Sequence, residues 1–174
     1  MEHEFQKSSQ QRQLIDRAEI ADVLGRYAFG TDMRDWDMVA SCFAEAIALD
    51  FTELDLWSEP VDSVSREVWV RTLEAFYSEL PACHHLNTPV LYEFEGEHRC
   101  LVTAVLQARH WDPERTDGES IQEVVGYYRD EFAREPTGWK IRGMKEIVKF
   151  TTGNSSILDD CVKNMMVTLK KEIG

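Results

Sequence analysis

No run of apolar residues in this sequence approaches the roughly 18 needed to cross a bilayer. The stretch Met1–Arg17 is polar and holds no apolar centre of the kind a signal peptide needs, so a cytoplasmic location is expected. Positive charge is scarce. Nineteen basic residues against 32 acidic ones give a net charge of −13, which argues against a grip on nucleic acid or an anionic membrane. The four cysteines, Cys42, Cys83, Cys100 and Cys161, are scattered with no Cys-x-x-Cys pair. A disulfide framework and a structural zinc site are thereby disfavoured, and buried free thiols are expected. Glycine-rich phosphate loops, the dinucleotide fingerprint, His-Glu-x-x-His and Gly-x-Ser-x-Gly are all missing. So are internal repeats and any interior Pro/Gly/Ser linker. One domain over residues 14–174 is expected, preceded by a flexible arm over 1–13.

What is present supports a buried core: 43% of the 174 residues are hydrophobic and 10% aromatic. Asp16 with Glu19 three residues on reads as a capping box, flanked by Ile15 and Ile20 as a hydrophobic staple, and Gly30 as the stop of that first helix. Asp35 reads as the cap of a short second helix carrying Trp36, Val39, Ala40 and Phe43 on one face. A third helix is expected from about Ser65 to Leu80. Ala46–Thr52, Thr88–Phe94, Leu101–Trp111, Glu119–Ala133 and Trp139–Thr151 read as strands, the last four joined by turns at Gly96 and Gly138 and by one longer loop. Ile157, Leu158, Cys161, Val162, Met165, Met166 and Leu169 then recur at helical spacing, which predicts a C-terminal helix over 156–172, as a cover on the sheet or as a lid. Helices followed by long strands give an α+β class: a curved antiparallel sheet with helices on one face, enclosing an apolar, cone-shaped small-molecule cavity. Acidic side chains concentrate between Glu45 and Glu67, where a loop near the cavity mouth falls. That disfavours anionic ligands.

Among the five histidines, His3 lies in the arm and His98 beside a turn, leaving His84, His85 and His110. Adjacent side chains of an extended segment face opposite ways, so at most one of His84 and His85 enters a common pocket. His110 ends the stripe Val102, Leu106, Ala108 on one strand face. Asp32 has no obvious capping role and could orient an imidazole, as the carboxylate of a catalytic dyad does. The three histidines and an acid match no standard metal spacing.

Several segments, in order, resemble the SnoaL-like branch of the nuclear transport factor 2-like superfamily. They are Tyr27-Ala28-Phe29-Gly30-Thr31-Asp32-Met33-Arg34-Asp35-Trp36-Asp37, Ile47-Ala48-Leu49-Asp50-Phe51, Cys83-His84-His85-Leu86, the stretch Thr103–His110, and Gly138-Trp139-Lys140-Ile141-Arg142-Gly143. The resemblance is closest to the scytalone dehydratases and runs from about residue 14 to about residue 150. It implies that Asp32 orients His85, that His85 and His110 flank a substrate, and that His85 is chosen over His84. The hexachlorocyclohexane dehydrochlorinases resemble the Asp32–His85 pair as well, which implies proton abstraction as the shared step. The dehydratases' two carbonyl-binding tyrosines correspond to Thr31 and Phe51 here, and their serine and asparagine to Gly126 and Tyr128. A different, less polar substrate is implied, with Tyr27 or Tyr128 holding its oxyanion and His110 donating a proton to the departing hydroxyl.

The expected function is a cofactor-independent, dehydratase-like lyase acting on a small, mostly apolar carbonyl compound, with no metal and no organic cofactor. The alternatives are an isomerase or polyketide-cyclase-like enzyme, a small-molecule-binding protein, and the small subunit of a ring-hydroxylating dioxygenase. Relatives form dimers and trimers, so the resemblance also implies a homo-oligomer.

Overall fold

A computed structural model of the chain describes residues 2–54, 59–88 and 90–173, without the side chains of 2–9, 160, 170, 172 and 173. The elements run in the order α1 (Glu2–Met33), α2 (Trp36–Ser41), β1 (Phe43–Asp50), a single 3-10 turn (Thr52–Leu54), β2 (Val61–Ser65), α3 (Arg66–Tyr77), β3 (Ala82–Leu86), β4 (Val90–Glu95), β5 (Arg99–Trp111), β6 (Ile121–Glu135), β7 (Gly138–Gly153) and α4 (Ser156–Ile173). The α+β class is as expected.

The first helix corrects the expected boundaries. It begins at Glu2, so residues 2–13, expected as an arm, continue the helical backbone of the domain's first element. Asp16 does not cap it. Its carboxylate is buried in mid-helix, where it accepts hydrogen bonds from the Arg134 guanidinium and from Trp139 Nε1 at 3.3 Å. Ile20, Val23, Leu24 and Tyr27 form the face that meets the sheet, each such side chain contributing about 1.5–3 kcal/mol by leaving water. Gly30 is not the stop either. It lies where α1 and α2 cross, and a Cβ there would come within 2.9 Å of Val39 Cγ2. The helix ends three residues later in a Schellman motif, with Asp35 N–H on Gly30 O (2.8 Å), Arg34 N–H on Thr31 O (3.3 Å), and Arg34 at φ 61°. A left-handed arginine costs about 1 kcal/mol. Its guanidinium offsets this by tying three elements together: it donates to Thr31 O (2.6 Å), Leu80 O (3.1 Å) and Cys83 Sγ (2.9 Å), and lies over the Tyr77 ring. Asp35 caps α2 as expected, accepting from Met38 N at 2.9 Å. Ser65 caps α3. Phe43, expected on the second helix, opens β1 instead.

Seven strands form one sheet in the order β2-β1-β7-β6-β5-β3, with β4 also paired to β5. All neighbours are antiparallel except β1 and β7, which run parallel. The parallel pair departs from the expected all-antiparallel sheet. It arises because β1 and β7 are separated by most of the chain, so no hairpin dictates their relative direction. Gly96 (φ 72°) and Gly138 (φ 106°) make the two expected turns. β2 and β3 are short strands that the sequence reading left unassigned, although the His84–His85 segment was taken as extended. Bulges between Val125 and Gly126 and between Glu131 and Phe132 bend the β6–β7 pair. At the first of these only glycine fits, since a Cβ on Gly126 would fall 2.0 Å from Ile147 O. On β5 the side chains of Val102, Ala104, Leu106, Ala108 and His110 all face inward. Helix α4 packs Ile157, Cys161, Met165 and Leu169 over α3 and the open end of the sheet. Among the described residues, no helix is long and apolar enough to cross a membrane. All four cysteines are free thiols.

Candidate functional site

Three consecutive residues of β3, Cys83, His84 and His85, converge on Asp32, which sits in the last turn of α1. Its Oδ1 accepts the His85 Nδ1 hydrogen at 2.7 Å, and its Oδ2 accepts the His85 backbone N–H at 3.1 Å. One carboxylate thus fixes both the ring and the backbone of β3 at this point. The Cys83 thiol donates to Oδ1 at 3.5 Å, and His84 Nδ1 reaches Oδ2 at 3.2 Å from a ring that is largely in solvent. His85 itself is buried. The strand alternation therefore separates the two histidines as expected, with His85 inside. Burial acts to raise the Asp32 carboxyl, but the hydrogen bonds from the His85 ring and backbone outweigh it and hold the group below the ordinary carboxylate value.

With Nδ1–H given to Asp32, His85 Nε2 carries the lone pair. It accepts the Tyr77 hydroxyl at 3.1 Å. The Tyr77 ring lies edge-on to His85 and stacked on His110, at centroid distances of 5.8 and 6.4 Å, and His85 and His110 are 6.1 Å apart. Tyr77, within the span expected as the third helix, is a site residue that the sequence reading did not single out as one. Arg34, which positions Tyr77, Cys83 and the end of α1 at once, was also missed. Burial pushes the Tyr77 hydroxyl well above its usual value, so it stays a neutral donor.

His110 differs from the role expected of it. Gln122 Nε2 points to Glu123 O, which turns Oε1 toward His110 Nδ1 at 2.8 Å. That assigns the ring proton to Nδ1 and leaves Nε2 an acceptor. Burial and the neighbouring His85 lower His110 to about 4, so at neutral pH it carries no extra proton to give to a leaving group.

These groups border a cavity of about 480 Å³. Leu54, Phe76, Ala108, Val124, Leu158 and Val162 supply its apolar wall, and His85, His110, Tyr77, Gln122, Tyr128 and Glu146 its polar one. Asp159 and Lys163 of α4 also line it. A narrower annex of about 60 Å³ continues past Tyr77, Tyr128 and Glu146 to Tyr27, Phe51 and Trp69. Among the expected substrate contacts, Tyr128 borders both spaces, while Tyr27 and Phe51 border only the annex. Thr31 borders neither: its buried hydroxyl donates to Tyr27 O at 2.8 Å, within its own helix. A more open groove of about 470 Å³ lies elsewhere, between Asp50, Arg129 and Lys145, away from the dyad. Of the acidic stretch, Asp50 is paired with Lys145 at 2.7 Å, and Asp55 lies outside the described residues.

Glu146 on β7 is the group least visible in the sequence. It is buried in the cavity wall, and burial raises its carboxyl to about 8. Asp130, deeper on β6, is raised further by burial and by Glu146. A metal could find three ligand atoms within 4.8 Å of one another in Asp32, Cys83 and His85. Those atoms are already joined by hydrogen bonds, and burial raises the Cys83 thiol to about 11. The set is closed on itself rather than poised around a cation.

The SnoaL-like domain family matches residues 12–145. Among solved structures, the Kfla4162 protein of Kribbella flavida is similar at 26% identity and a TM-score of 0.77, over 84% of this chain and 98% of that one. A candidate scytalone dehydratase of Novosphingobium aromaticivorans is similar at 19% identity and 0.72, over 83% and 91%. Hexachlorocyclohexane dehydrochlorinase LinA-type3 of Novosphingobium barchaimii is similar at 15% identity and 0.66, over 84% and 94%. The last two likenesses are of fold. No relative matches among the curated proteins.

Proposed function

The chain belongs to the SnoaL-like domain family, and from that membership we propose that it is a cofactor-independent lyase of the dehydratase type. The observation that carries this reading is the 2.7 Å contact between Asp32 Oδ1 and His85 Nδ1 at the edge of a partly open, mostly apolar cavity. Asp32 fixes the tautomer and offsets the charge that His85 acquires when it takes a proton. The proton comes from carbon next to the carbonyl of a small, mostly apolar substrate, which takes the place that the Tyr77 hydroxyl occupies on Nε2.

His110 is uncharged at neutral pH, so the proton for the leaving group needs another source. His85 supplies it. The carbon–hydrogen bond breaks, its electron pair forms the enolate, and Nε2 holds the proton. The enolate then expels the hydroxyl on the next carbon, which takes the proton back from Nε2 and leaves as water. The carbon–carbon π bond and the new O–H bond of the water together balance the C–H and C–O bonds broken. His110 Nε2, an acceptor, would receive a hydrogen bond from that hydroxyl beforehand. A single base that returns its proton to a different carbon would give an isomerase on the same residues, which is the second reading.

Incubation with neutral cyclic β-hydroxy ketones, followed by mass analysis, separates the two. We expect products lighter by one water and a new conjugated-ketone absorbance. A product of unchanged mass would assign the isomerase reading, and recovery of intact ligand throughout the series would count against catalysis.

A further inference from the structure

Glu146 and Tyr128 face each other across the β6–β7 register, so their side chains rise side by side from the same face of the sheet. Both border the main cavity and the annex. The two histidines of the inner wall each have a partner that explains them, while Trp69 Nε1 at the far end of the annex has none among the described residues. His85 is held by Asp32 and Tyr77, and His110 by Gln122. The Glu146 carboxyl makes no hydrogen bond among the described residues, yet it sits in the wall that a ligand must touch. A buried carboxyl without a protein partner costs stability, and in this position a ligand oxygen can supply the missing contact.

We propose that the Glu146 carboxyl donates the hydrogen bond that receives the substrate's carbonyl oxygen, which makes the ligand class a neutral, largely apolar ketone. The proposal deepens the dehydratase reading and rests on it for the step that follows: charge growing on that oxygen as the enolate forms strengthens the same hydrogen bond. A carboxylic acid kept protonated by an apolar site can serve as such a donor. The groups facing Glu146 agree with this. Tyr27 of α1, Tyr77 of α3 and Tyr128 of β6 are phenols held neutral by burial, and burial raises the Asp130 carboxyl of β6 well above its ordinary value. His85 and His110 border the same space, and Asp159 and Lys163 of α4 are the charged side chains in its wall. An anionic ligand at this position would meet Glu146, then Asp130 behind it, and would gain no cation from the β6–β7 wall.

The test needs no turnover. Acetophenone is the neutral probe and benzoate its anionic counterpart, with binding to the full chain followed by ligand-observed NMR from about pH 6 to about pH 10. Glu146 ionises with a midpoint of about 8, so acetophenone affinity should be flat below that and fall about tenfold per pH unit above it. Benzoate should bind at least about tenfold more weakly than acetophenone near neutral pH. E146Q, whose amide still donates, should bind acetophenone with no pH dependence, and E146L should bind it about tenfold more weakly than the parent at pH 7. Acetophenone binding that is flat over the whole range, that is unchanged in E146L, that benzoate equals or exceeds, or that is absent up to the probe's solubility would each overturn the proposal. Ketone binding with the expected titration but no catalysis would instead leave this donor in place and remove the lyase reading.

Discussion

His85→Gln should fold, melt within a few degrees of the parent, and lose turnover by about a hundredfold to ten-thousandfold. Glutamine approximates the reach of the imidazole: its amide can donate to Asp32 and its oxygen can accept from Tyr77, so the two contacts at 2.7 and 3.1 Å keep counterparts. What it lacks is a nitrogen that can take and release a proton. His84→Gln is the matched control, because that ring touches the same carboxylate at 3.2 Å but stands in solvent, and it should retain turnover within a few-fold. The dyad also sets an acid limit. Asp32 has its pKa lowered on folding, so its contribution to stability is fully present above the ordinary carboxylate value of about 3.9 and is lost as pH falls through the lowered value. Near-normal turnover in His85→Gln would remove the dyad from the mechanism.

Asp16→Ala should lower stability by about 3 kcal/mol, or roughly 6–12 °C in melting temperature for a chain of this size. The reason is its buried position between Arg134 and Trp139. Removing the carboxylate leaves a partly buried guanidinium and an indole N–H without their acceptor, and both anchor the start of β7 and the end of β6 to α1. A helix cap in the same place would be worth only about 1 kcal/mol. A thermal melt therefore separates the two assignments of one residue, and a loss no larger than a cap's would argue against the buried anchor.

Asp16 also shows where the sequence misleads. Asp-x-x-Glu flanked by two isoleucines is a valid start signal, but helix starts are set locally only when nothing downstream competes. Here Arg134 and Trp139, more than a hundred residues away, claim the carboxylate, and the helix runs on past it toward Glu2. Period-two alternation along β3 and β5 made His110 legible and limited the pocket to one of His84 and His85, and the resemblance chose His85. Asp32 was legible by elimination and by resemblance, while its backbone contact to His85 was not. Glu146 was illegible for a definite reason. Counting alternately from Trp139 and Ile141, both inward, puts residue 146 outside. The bulge between Glu131 and Phe132 inserts an extra β7 residue and flips the phase, so Met144 and Glu146 turn inward instead. Tyr77 lies within the span expected as the third helix, but the short return from α3 to β3 that sets its hydroxyl on His85 depends on the Arg34 clamp. The left-handed conformation of Arg34 has no sequence signal, since glycine or asparagine is the usual occupant.

Proton abstraction next to a carbonyl is the central claim, and it can be measured without knowing the leaving group. Acetophenone in deuterium oxide exchanges its methyl hydrogens slowly on its own, and proton NMR follows their loss. The account predicts exchange accelerated by the parent protein, abolished in His85→Gln and retained in His84→Gln. Exchange at the buffer rate with acetophenone bound, or equal acceleration by His85→Gln, would contradict it.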